Sequence, residues 1–123
     1  MSKFGIFHDP KNRAAKQRII DLILESCPVV KIDPHQPMCL VIEFVHSRPK
    51  RLTRKKDSPC RIPKTTKPDI DNLVKMVMDA LQATPLIHDD KQVIMLCASD
   101  WYCGRDELPH TQIHLYSQEV YSV

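Results

Sequence analysis

Pro68 is followed, after one residue, by apolar side chains at Ile70, Leu73, Val74, Val77, Ala80 and Leu81. That spacing follows the 3.6-residue period, so residues 70 to 82 are expected to form a helix with one buried face. Proline disfavours helical backbone in the residue before it, so this helix has to begin at Asp69 or just after it. Upstream, Met38 to His46 is rich in Leu, Val, Ile and Phe and alternates poorly. Its length and β-branching suit a strand buried on much of both faces. An earlier helix is expected from Asp9, as N-cap with Pro10 in the first helical position, to about Ser26. Ala15, Ile19, Leu22 and Ile23 form its apolar stripe, and Pro28 closes it. Phe4 to Phe7 suits a short edge strand, and residues 30 to 37 a connection. Gln92 to Tyr102 and Thr111 to Tyr116 read as two more strands, joined by a hairpin or a wider link containing Gly104 and Pro109. The expected class is α+β, with a small mixed β-sheet packed in two layers against two helices.

A chain of 123 residues is long enough to bury a core and argues for one domain over residues 1–123. No apolar run approaches the roughly 18 residues of a membrane span, so no membrane partner is expected. The N-terminus lacks the long apolar stretch of a secretory signal. Its five cysteines form no CxxC pair, which argues against a zinc site and for reduced thiols in a cytoplasmic setting.

The net charge is only +3, but its distribution is uneven. Arg48, Lys50, Arg51, Arg54, Lys55, Lys56, Arg61, Lys64 and Lys67 crowd into residues 48–67 against one acid, Asp57, and the remainder of the chain is net acidic. This segment is punctuated by prolines and lacks hydrophobic periodicity, so it is expected to be a long loop. Such asymmetry suggests a polyanionic partner. Arg51, Arg54, Lys55, Lys56 and Lys67 are the candidate phosphate contacts. A basic loop contacting phosphates confers steep salt dependence and little sequence selectivity. The plainer reading is a solvated loop.

Asp69 and Asp71 flank Ile70. Mid-helix residues two apart point about 200° from each other and do not share a ligand. At a helix start the geometry differs: an extended Asp69 and a helical Asp71 can converge on the end that favours anions. Lys75 lies one turn beyond Asp71. Asp89 and Asp90 supply two more acids at the entry to a strand, where alternation lets only one reach a given face. Three convergent carboxylates and a lysine suit Mg²⁺ chemistry on a phosphodiester. Taken singly, each feature has a plainer explanation: Asp69 a cap, Asp71 and Lys75 a surface pair, Asp89-Asp90 a turn.

The word Lys67-Pro-Asp-Ile-Asp-Asn-Leu-Val-Lys75, then Met78-Asp-Ala-Leu81, then Asp89-Asp-Lys-Gln-Val93, closely resembles the RusA family of Holliday-junction resolvases (crossover junction endodeoxyribonucleases). There a D-x-D-N-x-x-K helix start is followed by D-A-L and D-D-x-Q. The resemblance covers Met38 to about Trp101 well and the first helix loosely. It implies a homodimer that makes paired cuts across a four-way DNA junction with Mg²⁺, for which Mn²⁺ can substitute. It also implies that Asp69, Asp71 and Asp90 hold the metal as catalytic acids and that Lys75 is the catalytic lysine. Asn72 would brace the helix start, and Asp79 would be structural. Family members usually carry a strand and a basic loop before the first helix, whereas this chain starts almost directly at Phe4. The expectation is a shortened member or part of a longer chain.

Two other functions compete with the nuclease. One is a DNA-binding or scaffold protein that keeps the fold without activity; the other is a metal-dependent hydrolase of smaller phosphate esters. Trp101 and Tyr102 suit core or interface positions better than base stacking. His88 is a neighbour of the acids rather than a ligand for a hard cation. Met76 and Met78 suit packing or a dimer contact.

Overall fold

The computed structural model describes residues 2–6, 13–26 and 33–117. Strand β2 (Met38–His46) is the backbone of the arrangement, buried at almost every position, as its unbroken apolar run predicts. It has a neighbour on each side. β4 (Val93–Tyr102) runs parallel to it, and β5 (His110–Ser117) runs antiparallel. β1 (Ser2–Ile6) extends the sheet beyond β5, and the two-residue β3 (Ile62–Pro63) pairs with the end of β4. The five-stranded order is β1-β5-β2-β4-β3. Because β2 lies between β4 and β5, the link containing Gly104 and Pro109 is a wide crossing and not a hairpin.

Helix α1 (Arg13–Ser26) and helix α2 (Ile70–Gln82) pack against each other. The expected Asp9–Pro10 start of α1 lies outside the described residues, as do Phe7 and the side chain of Ala15. Ile19 and Ile23 of α1 and Leu73, Val77, Ala80 and Leu81 of α2 close over Leu40, Ile42, Phe44, Ile113 and Leu115 of the sheet. The bounds of α2 coincide with the apolar period, which is strong enough to set both register and length.

The parallel pairing of β2 with β4 requires a crossover, and α2 supplies it. The chain leaves the end of β2, passes through residues 47–69, and returns along α2. It then enters β4 through a 3-10 turn at Asp90–Gln92, so the strand begins at Val93, one residue after the expected Gln92. The basic segment also departs from the expected featureless loop. It contains a 3-10 turn at Lys50–Leu52 as well as β3. Arg48 organises it, donating from Nε to Cys103 O (2.8 Å) and from its terminal nitrogens to Leu52, Ser58 and Cys60 carbonyls (3.0, 2.6 and 2.7 Å). One guanidinium thus replaces the apolar contacts that the segment lacks.

Candidate active site

Asp69 occupies the N-cap of α2 with extended backbone (φ −70°, ψ 153°), and its side chain makes no capping hydrogen bond. An aspartate here ordinarily accepts from an amide of the first turn; this one leaves its carboxylate to the groove beside it. Asp71 sits in that first turn, exposed, and among the described residues no ion pair joins it to Lys75, which is also exposed. The two plainest explanations of these acids, a cap and a helical surface pair, are therefore not what their side chains do. Asn72 is exposed and makes no bracing bond to the helix start; it lines an open groove of about 510 Å³ with Lys67, Pro68 and Asp69.

A second groove of about 430 Å³ runs between the helix start and the end of β4, lined by Lys64, Thr65, Thr66, Asp69, Ile70, Ala98, Ser99 and Asp100. Its floor holds a buried ionic chain. The Lys64 side chain is only 2% exposed and that of Asp100 6%. Lys64 Nζ donates to Thr66 O at 2.7 Å and Pro68 O at 3.0 Å, and lies 3.5 Å from Asp100 Oδ2. The other Asp100 oxygen is 2.6 Å from His46 Nε2. The Lys64 amide donates to Asp100 O, and Thr66 Oγ1 meets the Tyr102 hydroxyl at 2.7 Å. Nothing in the sequence singled out this cluster. Lys64 is one of nine basic residues in its segment, and His46 and Asp100 meet only through the register of β2 on β4. Tyr102 is buried, as expected of a core position.

Asp89 and Asp90 lie elsewhere. Asp89 caps the 3-10 turn, accepting from the Lys91 amide at 2.9 Å in a reciprocal capping box with Gln92. A hydrogen bond to Asp90 helps hold the Asp89 carboxyl below its usual range, after the larger effect of the Lys91 amide. The same bond, with the nearby Asp89 charge, pushes Asp90 up. Asp90 is the freer of the two, because Asp89 is engaged as a cap. Both sit where β4 begins, whereas Asp69 lies beside Ala98–Asp100 near its end. At about 3.3 Å per residue, on the order of 15–20 Å of strand separates them. Within one chain the structure brings Asp69, Asp71 and Lys75 to one region and leaves Asp90 at the opposite end of α2. No group of three or more potential metal ligands forms among the described residues.

The basic residues divide into two sets. Arg51, Lys55, Lys56 and Lys67 are exposed. Arg54 is exposed too, but its backbone amide and Nε both reach Asp57 Oδ2, at 2.9 and 3.4 Å. Arg48 and Lys64 face inward, and Arg61 is paired with Glu107 (2.7 Å) and Glu43 (3.3 Å). Half-buried contacts with Arg61 hold Glu107 down to about 2. Of the exposed set, Lys67 lines the groove beside Asp69, and the available positive surface is narrower than the raw charge count suggests.

The donor chemistry at the helix start fits a hard divalent cation: two uncommitted carboxylates at the positive end of a helix, with open space for waters and a phosphate. No helix is long and apolar enough to cross a membrane among the described residues. None of the curated proteins compared with the chain matches it. The model of the family Endodeoxyribonuclease RusA matches residues 2–116, which extends the likeness through both helices and all five strands, and the chain belongs to that family.

Proposed function

We propose that this protein is a divalent-metal-dependent endonuclease that resolves four-way DNA junctions as a homodimer. The observation that carries the reading is the N-cap aspartate that does not cap, with Asp71 beside it in no ion pair among the described residues, in a chain of an endodeoxyribonuclease family. Asp69 and Asp71 would hold Mg²⁺ or Mn²⁺, which supplies Lewis-acid polarisation of the scissile phosphodiester when bound. Lys75, one turn along, places an ammonium against charge developing on the phosphate. Arg51, Arg54, Lys55, Lys56 and Lys67 grip the flanking backbone without reading bases.

Asp90 enters this site from a second copy. Ile94, Met95 and Leu96 are 61%, 57% and 47% exposed, and no described strand pairs with the outer edge of β4 before Asp100. An open apolar edge favours strand pairing with another chain. Two β4 edges paired antiparallel about Met95 and Leu96 set the start of one strand against the end of the other. Asp90 of one copy then approaches the helix start of its partner.

The test is cleavage of labelled four-way junction, linear duplex and flap DNA with and without Mg²⁺. Paired nicking of the junction, abolished in Asp71→Asn with folding and DNA binding retained, is the expected result. Tight binding without cleavage in Mg²⁺ or Mn²⁺ would instead identify an inactive DNA-binding protein.

A further inference from the structure

The buried ionic chain under the second groove has no part in the chemistry described so far. An ammonium is almost never fully buried, because removing it from water is expensive unless every donor is met. Lys64 meets that condition. Its three N–H groups face three acceptors, the carbonyls of Thr66 and Pro68 and a carboxylate oxygen of Asp100. The carboxylate is itself fixed by His46, at the end of the most buried strand.

What these contacts hold is informative. The Pro68 carbonyl belongs to the peptide plane that leads into Asp69, so anchoring that oxygen sets the direction in which Asp69 leaves the chain. Asp69 itself has no capping bond to orient it. The Thr66 carbonyl, two residues back, is anchored by the same ammonium, and the Thr66 hydroxyl by Tyr102. Lys64 and Asp69 line the same groove.

We infer that Lys64 is a positioning residue, which aims the Asp69 carboxylate for metal through the Pro68 carbonyl, with Asp100 and His46 as its anchor. The inference rests on the metal-dependent reading of Asp69 and Asp71. It does not require Lys64 to touch the substrate, and it separates Lys64 from the exposed lysines that meet DNA.

The test is Mn²⁺ binding to the full-length protein without DNA, followed by electron paramagnetic resonance, for wild type and Lys64→Met. Methionine keeps much of the stem and removes all three donors. Loss of a group that orients a ligand weakens metal affinity by about 10–100-fold, and that loss is expected here. Cleavage should require correspondingly more Mn²⁺ and recover toward the wild-type rate at saturation, with KM for junction DNA unchanged. Lower thermal stability with unchanged Mn²⁺ affinity would show a merely structural residue and overturn the inference alone. Wild-type protein that takes up no Mn²⁺ overturns both the inference and the metal-dependent reading. Should Lys64→Met fail to fold, Lys64→Gln replaces it: a neutral amide still able to donate to a carbonyl. Intermediate weakening supports the positioning role, and unchanged affinity overturns it.

Discussion

Asp69 and Gln92 belong to the same stretch of family-like sequence, yet their side chains do opposite things. Asp69 makes no capping bond, whereas Gln92 is 5% exposed and fully engaged. Its Oε1 accepts from the His88 and Asp89 amides at 2.6 and 3.1 Å, and its Nε2 donates to Asp33 and Gln36 carbonyls at 3.0 and 3.1 Å. That one amide ties the approach to β2 to the approach to β4, and so fixes where the parallel pair begins. Gln92→Ala should destabilise the protein by about 2–4 kcal/mol, since it deletes four bonds and strands buried polar groups. Urea unfolding measures this directly, and a change below about 0.5 kcal/mol would contradict the assignment. The sequence motif holds both a proposed metal ligand and a scaffolding amide, and the hydrogen-bond pattern sets the two side chains apart.

At the scale of elements, α2 and β2 were legible in the sequence because each carries a strong apolar pattern. Ile70–Gln82 and Met38–His46 have the extents that the pattern predicts. Residues 47–68 were not, because their order comes from Arg48 bonding four carbonyls at irregular separations, from Leu52 to Cys103, and such bonds leave no period. The same fact divides the charges. Neutralising Arg51, Lys55 or Lys56 should each lower the slope of log affinity against log salt by about 1 if it contacts a phosphate. Arg48→Ala should leave that slope unchanged and lower stability instead. Filter binding across a salt series distinguishes these outcomes, and a lowered slope in Arg48→Ala would place that guanidinium on DNA. Arg61 and Glu107 tie the segment to the β4–β5 crossing. The folded carboxyl of Glu107 titrates at about 2, below its ordinary 4.5. A depressed acid stabilises the fold above its unfolded pKa, and that contribution is lost as pH falls from about 4.5 toward 2. With the Glu107 side chain 28% exposed, the loss should be about 1–2 kcal/mol after solvent screening. Glu107→Gln should flatten that part of the stability profile in denaturant melts run across the same pH range.

For the molecule as a whole, the position of Asp90 decides how a site can be completed. The sequence places Asp90 close behind α2, and a reading along the chain naturally gathers it with Asp69 and Asp71. The parallel β2–α2–β4 crossover does the reverse, because a helix that returns the chain to the start of the next strand puts its own two ends at opposite ends of the sheet. A site that uses all three acids is then shared across the proposed dimer, and sharing has a consequence that no single-chain site has. In a mixed dimer of Asp71→Asn with Asp90→Asn, one site collects both lesions and the other collects none. Each variant alone should be inactive, while a mixture, unfolded and refolded together, should regain nicking to about a quarter of the wild-type level. Random pairing makes about half of the dimers mixed, each with one intact site. The regained activity should be single nicks and not paired cuts, because one competent site cuts one strand. Denaturing and native gels of the same junction read the two outcomes separately. A mixture as inactive as its components would mean that Asp90 serves its own chain or no metal at all. Leu96→Lys adds an independent check: a charge on the open β4 edge should yield a folded monomer on gel filtration that binds DNA weakly and does not cut it. A dimer that survived that change would move the interface elsewhere, whatever the mixing experiment showed.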